Sequence, residues 1–165
     1  MALLDDFNDE PADLAVQRLR ACNAAPRFAA EVLAGRPYPD ADTLVARAEA
    51  VARDLDWDEV SIALAAHPRI GDRPEGASAE AEASRREQSS MTGADSGTRA
   101  ALLDGNRAYE ERFGHVFLIR AAGRSPEEML AELRRRLAND AEAEQREATE
   151  QLAQITGLRV RGMVS

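Results

Sequence analysis

The stretch SPEEMLAELRRRL, Ser125 to Leu137, carries a complete helix signature. Ser125-Pro126-Glu127-Glu128 reads as a capping box, with proline at the first helical position, where its missing N–H costs nothing. Leu130, Leu133 and Leu137 follow at spacings of three and four, one buried face of a helix. The same grammar extends in both directions. Pro11 to Cys22 places Ala12, Ala15, Leu19 and Cys22 on one face. Pro26 to Ala34 opens on proline and closes at Gly35, a natural C-cap, before the PYPD loop at residues 37–40. Ala41 to Leu55 repeats the pattern with Leu44, Ala48, Val51 and Leu55. Trp57 to Ala66 does so with Asp56 as N-cap and Val60 and Leu64 inward.

His67-Pro68 ends that helix, because a residue before proline resists the α conformation. HPRIGDRPEG, with two prolines and two glycines, is a loop. Ser78 caps a helix from Ala79 to about Met91, and after a turn at 92–97 another runs from its cap at Ser96 to Phe113. HVFLI (His115 to Ile119) is a short buried segment, extended or helical. A last helix from about Ala141 to Thr156 stops at Gly157. The expected fold is all-α: one compact domain over residues 1–165, a bundle of roughly seven to nine helices with short loops.

Composition narrows the function. Alanine, leucine, glutamate and arginine dominate and aromatics are 4%, which favours helix over strand. A net charge of -9 excludes nucleic acid as a partner, since phosphate binding needs a basic face. No apolar run approaches the ~20 residues of a membrane span, and the acidic N-terminus is unlike a signal peptide. The lone Cys22 leaves no internal disulfide, so a cytoplasmic protein is expected. All 21 basic residues are arginine, which removes lysine Schiff-base chemistry and lysine-held pyridoxal phosphate.

Three places break the helical pattern. Ser84, Glu87, Gln88 and Met91 form one polar stripe on a helix without large aliphatic residues, which either lies on the surface or faces an enclosed cavity. Leu102, Asn106, Tyr109 and Phe113 form an inward stripe interrupted by Asn106, whose amide must be satisfied by a neighbouring loop or by a ligand. His67, one of two histidines, stands at a helix end before a rigid loop. There it serves as a cap or as a group that moves protons near neutral pH. Two distant histidines, one cysteine and no HxxxH or CxxC spacing leave no recognisable metal site, and none is expected. Gly93-Ala94-Asp95-Ser96-Gly97 lacks both the GxSxG elbow and a phosphate-loop ending.

Together these residues resemble the OHCU decarboxylase family, whose substrate is 2-oxo-4-hydroxy-4-carboxy-5-ureidoimidazoline. The match begins with Phe7-Asn8 and Arg36-Pro37 and is strongest at A-H-P-R-I-G, Ala66 to Gly71. It continues with S-x-x-E-Q at Ser84, Glu87 and Gln88, and with Asn106, Tyr109, Phe113-Gly114 and Phe117. Gly123-Arg124-Ser125, Arg136-Leu137-x-Asn139 and Ile155-Thr156-x-Leu158-Arg159 complete it. Departures are peripheral: Cys22-Asn23 stands where a Cys-Cys pair is frequent, and Phe28 where tryptophan often appears.

The resemblance implies decarboxylation of this small-molecule ureide to (S)-allantoin without metal or organic cofactor, and a homodimer. It implies His67 as the catalytic proton-transfer residue and Glu87 as its acidic partner. Pro68, the segment Ser84, Arg85, Arg86, Glu87 and Gln88, and the segment Ile119, Arg120, Ala121, Ala122 and Gly123 would line the substrate pocket. Arg159 would meet an anionic group. Two other readings compete: a non-catalytic helical binding module, and a hydrolase acting on a related cyclic ureide.

Overall fold

The computed structural model describes residues 3–67 and 96–165. Among these the chain forms eight helices and no strand: α1 (Leu3–Asp9), α2 (Ala12–Cys22), α3 (Pro26–Ala34), α4 (Ala41–Asp54), α5 (Trp57–Ala65), α6 (Ser96–Phe113), α7 (Pro126–Leu137) and α8 (Ala141–Met163). The all-α expectation holds. The expected helix from Ala79 to Met91 lies outside the described residues. None of the described helices is long and apolar enough to cross a membrane. The chain divides into two compact units, Met1–Ala63 with Leu152–Ser165, and Leu64–Gln151.

In the first unit the helix faces read from sequence are the buried ones. Ala15, Leu19 and Cys22 of α2 and Leu44, Ala48 and Val51 of α4 are shielded, with Leu55 just beyond, whereas Ala12 is exposed. Reciprocal hydrogen bonds fix the start of α5, because Asp56 Oδ1 accepts from Glu59 N and Glu59 Oε1 accepts from Asp56 N. The short α1 was not foreseen in sequence. It is held by partners far along the chain: Arg36 Nη1 donates to the carbonyls of Phe7 and Glu10, each at 2.8 Å. Asn8 exchanges two hydrogen bonds with the backbone of Tyr38. The Phe7-Asn8 and Arg36-Pro37 motifs therefore meet each other.

Two glycines act differently from the sequence reading. Gly35 does follow α3, but at φ -84° it is right-handed, not in the left-handed conformation of a glycine cap. A Cβ there would lie 2.3 Å from the Tyr38 hydroxyl. The expected stop at Gly157 is overturned, because α8 continues to Met163. Gly157 sits inside the helix where a Cβ would come 2.7 Å from Glu49 Cγ, so the missing side chain makes room for a neighbour and does not end the helix.

The second unit is built on α6 and α7, which pack together where Gly105 lets Leu133 approach to within 2.4 Å of a would-be Cβ. Leu102, Tyr109, Phe117, Ile119, Ala121, Met129 and Leu133 form one buried cluster, flanked by the half-buried Phe113, Leu130 and Leu137. Ser125 caps α7 by accepting from Glu128 N at 3.1 Å. The buried face of α7 is Met129, Leu133 and Arg136, turned slightly from the leucine stripe expected, because Arg136 finds partners inside. HVFLI belongs to neither helix nor strand, with Phe117, Leu118 and Ile119 buried.

Candidate functional site

The irregular segment after α6 begins at Gly114, whose φ of +80° reverses the chain in a conformation that suits glycine. Its next residues lack the hydrogen-bond ladder of a helix or sheet, so their buried backbone groups need side-chain partners. Arg136 supplies the first. From the buried face of α7, its Nη1 donates to the Leu118 carbonyl at 2.7 Å, while the guanidinium lies 4.6 Å from the Phe117 ring centroid. Gln151 of α8 supplies the second, its Oε1 accepting from Arg120 N at 2.8 Å.

Arg136 is itself locked in place. Its Nε donates to Glu144 Oε1 at 2.7 Å and its Nη2 donates to the same oxygen. Tyr109 Oη donates there too, at 2.5 Å, and Asn139 Nδ2 donates to Glu144 Oε2 at 3.1 Å. Neither charge reaches solvent, and such a pair is tolerated only when its hydrogen bonds are met. Burial, then the bond to Glu144, raises the Tyr109 phenol well above its ordinary pKa.

Beyond the two anchors the backbone turns sharply. Arg124 N donates to the Ala121 carbonyl at 3.1 Å and Gly123 takes φ +79°. Ile119 and Ala121 are buried in the cluster, whereas Ala122 and Gly123 are exposed. Among the described residues no acceptor meets the N–H groups of residues 121–123, nor the Nε of Arg120 or Arg124. A turn presenting several donors beside guanidinium groups can receive an anionic or carbonyl oxygen.

His67 follows α5 and is 7% exposed, with its backbone N–H closing a turn onto the Leu64 carbonyl at 3.0 Å. It belongs to the same compact unit as the segment Ile119–Gly123. Asn106, buried on the α6 stripe, is in that unit too. Arg159 is 8% exposed in the other unit, where its Nη1 donates to the Ala21 carbonyl at 3.3 Å. Pro68, Ser84, Arg85, Arg86, Glu87 and Gln88 lie outside the described residues. Among the described residues no three His, Cys, Asp or Glu side chains gather as metal ligands.

Sequence reasoning missed the parts played by Glu144 and Gln151. The signal was present: Glu144 leads Ala148 and Leu152 at four-residue intervals on the buried stripe of α8, and Arg136 shares one with Met129 and Leu133. Two opposite charges on inward stripes point to one another.

The family model described as OHCU decarboxylase matches residues 8–161. The "Uric acid degradation bifunctional protein TTL" of Arabidopsis thaliana is 29% identical over 88% of this chain, which spans only 46% of that relative's length. The 2-oxo-4-hydroxy-4-carboxy-5-ureidoimidazoline decarboxylase of Amia calva is 31% identical over 84% of this chain and 81% of its own. A crystal structure of OHCU decarboxylase in the presence of (S)-allantoin superposes with a TM-score of 0.72 at 25% identity, covering 86% of this chain and 92% of that one.

Proposed function

The chain belongs to the OHCU decarboxylase family, and from that premise we propose that it decarboxylates 2-oxo-4-hydroxy-4-carboxy-5-ureidoimidazoline to (S)-allantoin and carbon dioxide without a cofactor, the last step from urate to allantoin. The observation that carries this reading is the family match, which runs from residue 8 to 161. Supporting it locally is the turn at residues 121–123, whose backbone N–H groups meet no acceptor among the described residues, and with them the buried Nε atoms of Arg120 and Arg124.

The chemistry needs few parts. The bond from the ring carbon to the carboxylate breaks, carbon dioxide leaves, and the electron pair passes into the conjugated ring carbonyl or imine of the substrate. A proton then returns to one face of carbon. The protein must hold the carboxylate perpendicular to that conjugated system, stabilise enolate-like charge and deliver the proton, all within reach of positioning and preorganised donors.

His67 is assigned the proton transfer, taking the substrate hydroxyl's proton, returning one to carbon, or both. Glu87 orients its imidazole and raises its basicity. By the same proposal Pro68, residues 84–88 and residues 119–123 line the pocket. The same proposal includes a homodimer and a cytoplasmic location, the latter supported by the single cysteine.

The test is to mix the protein with freshly generated substrate and follow its decay together with carbon dioxide release. Decay above the spontaneous rate, with matching gas release, supports the reading. Acceleration without carbon dioxide indicates a hydrolase, and no acceleration ends the proposal.

A further inference from the structure

We propose that Gln151 is a positioning residue for the substrate loop, fixing the peptide plane of Arg120 and through it the donors that follow. This rests on the reading that residues Ile119–Gly123 line the pocket. The loop is held at two backbone points, Leu118 C=O by Arg136 and Arg120 N–H by Gln151, at 2.7 and 2.8 Å. The two anchors differ in kind. Arg136 is tied into the buried network of Glu144 and Tyr109, so its loss disturbs the fold itself. Gln151 is half-buried on α8, and its amide oxygen serves this one backbone group.

The geometry gives that bond a purpose beyond stability. A peptide N–H held by a side chain has a fixed direction, which leaves only φ and ψ of Arg120 between that plane and the next. The next N–H groups are those of Ala121, Ala122 and Gly123, in a turn closed by Arg124 N onto Ala121 O. The positive φ of Gly123 makes the turn sharp, and the side chains of Ile119 and Ala121 are packed in the core on either side of Arg120, which leaves the orientation of the Arg120 N–H to be set by its own hydrogen bond. Gln151 sets that orientation from α8. It also sets where the Arg120 side chain departs from the backbone.

The experiment compares Gln151→Met, similar in length but without an acceptor, with Gln151→Glu, which keeps one. Steady-state turnover of freshly generated substrate is measured beside hydrogen–deuterium exchange of the peptide covering residues 117–124 in the full chain. Gln151→Met is expected to lower kcat/KM about tenfold, the size of one lost hydrogen bond expressed in the transition state, and to speed exchange in that peptide. Its urea midpoint should fall by no more than the loss of one hydrogen bond, and Gln151→Glu should restore kcat/KM to within about threefold. Equal losses in both variants, or a Gln151→Met protein with unchanged kcat/KM, overturn the assignment. If the parent protein itself fails to accelerate substrate decay, the functional reading falls and this role with it, whereas an active parent with a silent Gln151→Met removes only Gln151.

Discussion

Arg136 and Glu144 form an ion pair with side chains 1% and 0% exposed, the guanidinium Nε lying 2.7 Å from the carboxylate Oε1. Burying two charges is costly, and the cost is offset here because each charge is also hydrogen-bonded to a third group. Tyr109 and Asn139 donate to the carboxylate, and the Leu118 carbonyl accepts from the guanidinium. The pair therefore joins α7, α8 and the segment that leads to the proposed substrate loop.

Breaking one side of this pair is expected to destabilise strongly. Glu144→Ala leaves a guanidinium buried without its counter-charge, a loss of about 3–5 kcal/mol. Replacing both partners with apolar residues should cost less than the sum of the single changes, since no orphaned charge remains. Urea denaturation of the two single variants and the double variant measures this. Additive losses would show that the two charges are not coupled.

Tyr109 gives the fold a dependence on alkaline pH. Its phenol pKa is raised in the folded chain, by burial first and by the Glu144 carboxylate second. Below the ordinary tyrosine value of 10.0 both folded and unfolded states keep the proton, so its contribution to stability is fully present. Above it the unfolded chain releases the proton and the folded chain retains it, so stability falls as pH rises further. Tyr109→Phe should shrink that fall while costing about 1 kcal/mol at neutral pH. A remaining slope is expected from Tyr38, whose phenol is raised by its own burial. Denaturation series at pH values spanning 10 check the difference, and parallel pH curves for parent and variant would contradict it.

Gly105 is expected to resist the usual benefit of alanine in a helix. Inside an ordinary helix Gly→Ala stabilises by up to about 1 kcal/mol. Here the new methyl would fall 2.4 Å from Leu133 Cδ2, a side chain in the fully buried cluster. Overpacking of this kind costs about 1–3 kcal/mol, so Gly105→Ala should lower stability. Pairing it with Leu133→Ala should cost less than the sum of the two single losses. A thermal melt showing Gly105→Ala more stable than the parent would contradict the close approach of α6 and α7.

Much of this architecture was legible in the chain because local rules governed it. Ser125 and Asp56 cap as their neighbours suggest, and the stripe of Leu102, Asn106 and Tyr109 turned inward as spaced. Failures arose where a distant residue decided the outcome. Gly157 looks like a stop until Glu49 is placed against it, and α1 depends on Arg36 and Tyr38 some thirty residues away. The site was less legible. Only the family resemblance pointed to Ile119–Gly123, and a loop whose backbone is held by side chains has no periodicity to reveal its anchors, Arg136 and Gln151.

Product chirality reports directly on proton delivery by His67, because spontaneous decay of the substrate has no means of choosing a face. Circular dichroism of the allantoin formed by the parent and by His67→Ala, at equal substrate conversion, compares them under one condition. An (S)-allantoin signal is expected from the parent and none from His67→Ala, with the variant's unfolding midpoint close to the parent's. An undiminished (S) excess from the His67→Ala protein would contradict proton delivery by His67.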